Sequence, residues 1–275
     1  EMTITAKIIA DSITEDGNRL TTMQLMYPRF IHSEFMTHRV FSRNASSSRA
    51  IPIAKMIESI RKNPAMPIHW GKNQPGMQAD EEVEELYKEQ ARATWLLAME
   101  ETIQHAITLN QLGIHKQVAN RLLEPFQHIH VVVTSTEWIN FFALRHHPNA
   151  QPEFQELAGK MHELYETNHP KPVAFGDWHL PYTQESDGAV SGRIIKSAAS
   201  CAYTNHDGKE STEEEDSKLY LRLITADPPH MSPVEHQAMA VPGNNFYANF
   251  RGWRQHRWEL ERRGQDEATT LRKQG

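Results

Sequence analysis

Thr37-His38-Arg39-Val40-Phe41-Ser42-Arg43-Asn44-Ala45-Ser46-Ser47-Ser48-Arg49 has little reason to enter a core. It gathers three arginines, a histidine, five hydroxyls and an amide in one turn-rich run. Guanidinium forks and hydroxyls match the oxygens of an anion such as phosphate. A solvated linker has the same composition, so the run alone does not separate the two. Its flanks argue against a linker. Apolar, periodic sequence lies on both sides, and Ala50-Ile51-Pro52 returns at once to a helix start.

Upstream, Thr3 to Ala10 alternates apolar and polar residues and predicts a strand. Asp16-Gly17 supplies a turn, and Leu20 to Tyr27 completes a hairpin. Pro28 suits a helix's first turn, with Phe30, Ile31, Glu34, Phe35 and His38 at helical spacing. That places His38 and Arg39 at the helix's C-terminal end. Downstream, Ile53 to Arg61 reads as a short amphipathic helix. Lys62 to Gln78 reads as a surface loop, open to a lid role. Asp80 to Leu112 predicts a long helix stopped by Gly113, and Lys116 to Leu123 a short one. His130 to Thr134 predicts a buried strand. Thr136 is placed to cap a helix reaching Arg145.

Pro152 to Tyr165 is helical in pattern, and His169 to Gly192 is loop-rich. Two helices follow, Gly192 to Tyr203 and Thr212 to Ile224. Pro228 to Val241 holds a turn and a strand, and Trp253 to Arg263 a helix. Residues 264–275 read as a frayed tail. No repeat or composition break divides residues 1–275. The expectation is a single α+β domain with a small antiparallel sheet and several helices.

A net charge of −6 argues against coating a nucleic-acid polymer, though not against a local basic pocket. There is no apolar run of about 18 residues, so no membrane span is expected. The N-terminus lacks a signal-peptide core, which points to the cytoplasm. The single cysteine, Cys201, excludes a disulfide framework and a multi-cysteine zinc site. It lies in a small-residue helical stretch and reads as a packing cysteine. The 16 histidines invite a metal, yet no His-Glu-x-x-His occurs. His128/His130 and His146/His147 lack a third ligand nearby in sequence, so no metal is expected.

The opening run resembles the signature of the flavin-dependent thymidylate synthases: Arg-His-Arg, seven residues, Ser, then Arg two residues on. His38, Arg39, Ser47 and Arg49 stand in place, and Thr37 replaces the first Arg. The stretch from Gly113 to Pro125, with Arg121, is similar to another family segment. Asn140-Phe141-Phe142-Ala143-Leu144-Arg145, then Ala150-Gln151 and Glu153, resembles a third. A last match is out of order. Ala198 to Tyr203 and His230-Met231-Ser232-Pro233-Val234-Glu235-His236 come near the C-terminus, whereas the family carries them before the signature. A circular permutation accounts for this order. Ser232-Pro233 with Glu235 also fits a capping box. Departures from the family pattern include Ala45 for Glu, Ser48 for Gly and Ala202 for Ser.

The resemblance implies a flavin-dependent thymidylate synthase-like fold and reductive methylation of carbon 5 of dUMP to dTMP. Methylenetetrahydrofolate would supply the carbon, FAD the hydride and NADPH the electrons. It assigns His38, Arg39 and Arg145 to catalysis. His38, Arg39, Asn140, His230, Ser232 and Glu235 would hold the flavin, with His38 and Arg39 as cations beside its ring. Glu34, Ser47, Ser48, Arg49, Arg121 and Arg145 would bind the pyrimidine deoxynucleotide monophosphate. It further implies a homotetramer. Thr37 and Ala45 keep a related methylase or hydroxymethylase open, acting on dCMP or dUMP. A non-catalytic flavin- or nucleotide-binding homologue is open too.

Overall fold

The computed structural model describes residues 4–203 and 211–264. β1 (Thr5–Thr14) and β2 (Arg19–Pro28) form the expected hairpin, turning through Gly17 at φ 82°. A register shift between Ile8 and Ala10 lets β1 run on to Thr14, beyond its simple alternation. After α1 (His32–Phe35), the chain forms β3 (Ser42–Ala45) inside the polar run. β4 (His128–Ser135) lies between β3 and β2, with Val131, Val132 and Val133 buried. β5 (Lys171–Val173) pairs parallel to β1, so this five-stranded sheet is mixed rather than antiparallel throughout.

The helices explain that parallel edge. α2 (Ile53–Lys62), α3 (Glu85–Gln111) and α4 (Lys116–Leu122) bury Met56, Ile60, Ile103 and Phe126 among themselves. α5 (Ile139–Arg145) and α6 (Pro152–Thr167) instead cross one face of the sheet, and α6 delivers the chain to β5. Period-two alternation assigns the faces of β2. Met23, Leu25 and Tyr27 meet Phe35, Phe41, Trp138, Phe141 and Phe154 under α5 and α6. Leu20 points the other way, toward Val173, Phe250 and Trp253.

That opposite face meets a second small sheet, which the sequence pattern did not disclose. Its strands are β6 (Trp178–His179), β7 (Ala238–Ala240), β8 (Phe246–Tyr247), β9 (Phe250–Arg251) and β10 (Trp253–Gln255). Their order is β6-β7-β10-β8-β9. α7 (Val190–Ala202) and α8 (Glu213–Ile224) pack on each other beside it. The architecture is α+β.

Several boundaries differ from the pattern-based expectations. α1 stops at Phe35, so His38 and Arg39 lie in the turn beyond it. The cause is Arg43, whose Nη1 donates to the carbonyls of Phe35, Met36 and His38, the last at 2.7 Å. α3 starts at Glu85, because Lys72 pairs with Glu81 and Gly71 bridges Glu82. Thr136 caps nothing: its hydroxyl accepts from the Arg251 N–H at 3.2 Å. Trp253 opens a strand, and helix follows only at 256–264. Thr3 and the rest of the expected tail, 265–275, lie outside the described residues.

Candidate functional site

Residues 34–49 are held at three points. At the first, Arg145 at the end of α5 spends each of its nitrogens on this segment. Its Nε donates to His38 Nε2 at 3.0 Å, Nη1 to Glu34 Oε2 at 3.0 Å, and Nη2 to Thr37 Oγ1 at 3.2 Å. The guanidinium also lies 4.8 Å from the Phe154 ring centroid. Thus Glu34, His38 and Arg145, predicted separately, form one cluster, and Thr37 completes it.

His38 does not fit the expected cationic role. It is buried, stacked on Phe41 with centroids 5.6 Å apart. Burial, then Arg145 and Arg43, pull its pKa down to about 4. It is therefore neutral at neutral pH and serves as an acceptor for Arg145. Among the predicted flavin-side cations only Arg39 stays exposed, with no side-chain partner among the described residues.

The second point is Glu124, which the sequence reading passed over. Its Oε1 accepts from Ser48 Oγ at 2.9 Å and Arg121 Nη1 at 2.7 Å, with Arg29 Nε 3.5 Å away. Asn120, buried on α4, donates to the carbonyls of Ser48 and Ile51, both at 2.8 Å. Ser48 is buried and structurally committed, whereas Ser47 and Arg49 face solvent. Arg49 has no side-chain partner among the described residues. Among the described residues the Ser47 hydroxyl accepts only the N–H of Arg49, at 3.3 Å.

The third point brings in the out-of-order segment. Asn44 of β3 donates to the carbonyl of Cys201 and accepts from Ser232 Oγ at 3.2 Å. Gln255 Nε2 joins Ser42 Oγ at 2.9 Å to the Glu235 carbonyl at 2.8 Å. Residues 232–235 form a 3-10 turn without a side-chain cap, so the capping box is not made. Ser232 is occupied by Asn44, and Glu235 by Arg257. Burial pushes the Glu235 carboxyl up against the opposing pull of Arg257. His230 is exposed and Asn140 is exposed on α5, and neither is drawn into these clusters.

Cys201 is fully buried, and burial pushes its thiol far above the usual range. Its sulfur lies 3.7 Å from Gln237 Nε2, a packing contact rather than an activating one. Behind the site, a buried polar chain joins the two sheets. Ser12 Oγ meets His179 Nδ1, His179 Nε2 meets Thr22 Oγ1, and Thr134 Oγ1 meets His236 Nδ1, each at 2.8 Å. Thr22 and Thr134 are 2.7 Å apart. Burial pulls His179 and His236 down to about 3 each.

Among the described residues, no three His, Cys, Asp or Glu side chains converge as a metal would require. No described helix is long and apolar enough to cross a membrane.

The family described as thymidylate synthase complementing protein matches residues 20–171, which hold the first two attachment points and β3 of the third. No curated protein matches the chain. Among solved structures, a UMP/dUMP methylase, PolB from Streptomyces cacaoi, bound with 5-Br UMP, matches with a TM-score of 0.52. It is 16% identical, and the match covers 60% of this chain and 89% of that one. The same enzyme with 5-Br dUMP matches with a TM-score of 0.47 at 17% identity, covering 60% and 90%. At that identity the first of these likenesses speaks for the fold.

Proposed function

Because this chain belongs to the thymidylate synthase complementing protein family, we propose that it is a flavin-dependent methylase of carbon 5 of a pyrimidine nucleotide, converting dUMP to dTMP. The observation that carries this reading is the convergence on residues 34–49. One segment inside the family match touches Arg145, the Arg121–Glu124 pair, and the 232–235 turn. The adjacency of Ser232 and Asn44 also supports a permuted order. Segments 188 residues apart meet through one hydrogen bond.

The side chains fit the proposed ligands in part. Arg39 and Arg49 are exposed guanidiniums with no protein partner among the described residues, suited to anionic ligands. Arg49, with Ser47 beside it, would take the nucleotide phosphate, and Arg39 the flavin side. Asn140 and His230 offer exposed polar groups, with Ser232 and Glu235 near them in role. Arg145 can reach a nucleotide only by releasing Glu34 or Thr37. Bound FAD would supply the hydride and draw its electrons from NADPH, and methylenetetrahydrofolate would supply the carbon. The residues would hold nucleotide, flavin and folate in register. Cys201, buried and protonated, has no part as a nucleophile.

A homotetramer fits the surface. α3 spans about 40 Å, yet only Met99, Ile103 and Ala106 of it are buried. Leu86, Tyr87, Leu96 and Leu97 are exposed along α3, and Val118 and Leu122 on α4.

A second reading rests on Thr37 and Ala45, where the family pattern has Arg and Glu. It is a related methylase or hydroxymethylase of a pyrimidine deoxynucleotide, dCMP or dUMP. Mass spectrometry of the product from dUMP, UMP and dCMP, with methylenetetrahydrofolate, FAD and NADPH, separates the readings. A methyl product from dUMP is expected. A hydroxymethyl product, or turnover of dCMP alone, would replace the first reading with the second. No product from any of the three would refute both.

A further inference from the structure

Segment 37–49 carries three arginines and no carboxylate, and Ala45 stands where the family pattern has Glu. A carboxylate reaches the segment from 76 residues along the chain, through the 2.9 Å bond that Ser48 Oγ gives to Glu124 Oε1. Glu124 sits on a rigid mount. It opens the 3-10 turn Glu124–Phe126 directly after α4 and is followed by Pro125. Leu123 and Phe126, on either side, are buried among α2, α3 and α4. The Glu124 carbonyl accepts from the Gln127 N–H at 3.2 Å, which closes the turn.

That one oxygen holds two things at once. The first is Ser48, in a turn closed by the Ala50 N–H on the Ser47 carbonyl at 3.0 Å. Glu124 takes the Ser48 hydroxyl and Asn120 the Ser48 carbonyl, so Ser48 is fixed inward. Its neighbours Ser47 and Arg49 are thereby turned out to solvent. The second is Arg121, whose Nη1 donates to the same Oε1 at 2.7 Å. Its other nitrogens have no side-chain partner among the described residues, and its side chain is 54% exposed.

We infer that Glu124 is a positioning residue for the nucleotide. One carboxylate sets Ser47, Arg49 and Arg121 as a fixed group of donors before the ligand arrives, and donors fixed in advance lose less freedom on binding. The inference rests on the nucleotide reading given above. Glu124 acts only through its neighbours, since its own charge repels a phosphate. A carboxamide in its place would still accept from Ser48 but would hold Arg121 without a charge.

The test titrates dUMP, UMP and dCMP calorimetrically into the full chain, and the nucleotide that the wild type binds most tightly is the probe. Flavin retained per chain and the urea midpoint are read alongside. Glu124→Ala should weaken the probe about tenfold or more, and Glu124→Gln about threefold, with flavin retention unchanged. Ser48→Ala combined with Glu124→Ala should lose no more than Glu124→Ala alone, because both cut the same bond. Wild-type affinity in both Glu124 variants, with or without a lowered midpoint, would mark a merely structural contact and overturn the inference. Losses that multiply in the double variant would overturn it too, as would flavin lost in step with affinity. If Glu124→Ala does not fold, Glu124→Gln decides alone. A wild type that binds none of the three nucleotides would instead refute the nucleotide reading, and this inference with it.

Discussion

Lowering the pH from 7 to 5 should destabilise this protein through two histidines in particular. His179 and His236 are wholly buried, bonded to hydroxyls, and held down to about 3. In the unfolded chain each returns to about 6.5. A folded pKa below the unfolded one means that only the unfolded state gains protons as the pH falls through 6.5. Stability is therefore full above that value and declines until the folded pKa near 3. Integrating from pH 7 to 5 gives a loss of about 2 kcal/mol per histidine, about 4 kcal/mol for the pair. His32, His38 and His256, each lowered to about 4, act in the same direction, so the pair sets a floor. Ordinary carboxylates mostly titrate lower, which keeps this window to the imidazoles. The assay is urea unfolding at both pH values in wild type and in His236→Gln. The variant should show a pH-dependent loss smaller by about 2 kcal/mol. An equal loss in both proteins, or a wild-type loss under about 1 kcal/mol, would refute the assignment of neutral buried imidazoles.

Three other outcomes follow from the site. Arg49→Gln should lower nucleotide affinity about a hundredfold, the scale of a lost charge-assisted contact, with the urea midpoint unchanged because Arg49 has no protein partner among the described residues. Arg145→Ala should lower both, since it removes three hydrogen bonds to Glu34, Thr37 and His38; unchanged binding in both variants would show that the arginines are misassigned. Asn44→Ala should cost about 1–3 kcal/mol and reduce flavin retained per chain, read from visible absorbance, because it cuts the links to Cys201 and Ser232. Cys201→Ala should keep most turnover and lose about 1–2 kcal/mol; a folded, flavin-loaded but inactive variant would overturn a mechanism without an enzyme thiolate.

The hairpin, the α2–α6 helices and the valine-rich strand were legible from apolar periodicity together with their turn, start and stop residues. β3 was not. Ser42, Arg43, Asn44 and Ala45 show no apolar alternation, and what makes them a strand is register with Val131 to Thr134. Of the second sheet, only the strand expected within Pro228 to Val241 was legible, as β7; the rest escaped notice for a similar reason. Its strands are two or three residues long, too short for any periodicity. Arg43, Asn44 and Glu124 were visible as polar residues in the right stretches. Their roles depend on partners far away in sequence, such as Cys201, Ser232 and Ser48. His38 was misread as a cation because sequence shows residue type, and the neutral form is set by burial and two neighbouring guanidiniums.

The chain of Ser12, His179, Thr22, Thr134 and His236 has a property of sequence order in its protons. Each hydroxyl has one hydrogen to give, and each neutral ring one N–H. If Ser12 donates into the row, every link must point toward His236. If His236 donates, every link must point back. No member can turn alone without setting two donors or two acceptors face to face. The five groups therefore share a single binary variable, and its dipole reverses as a whole. His236 Nε2, buried and without a hydrogen-bond partner among the described residues, is where that variable ends as either a bare lone pair or an N–H. The tautomer of a ring next to the 232–235 turn is thereby tied to a serine on the far strand of the hairpin.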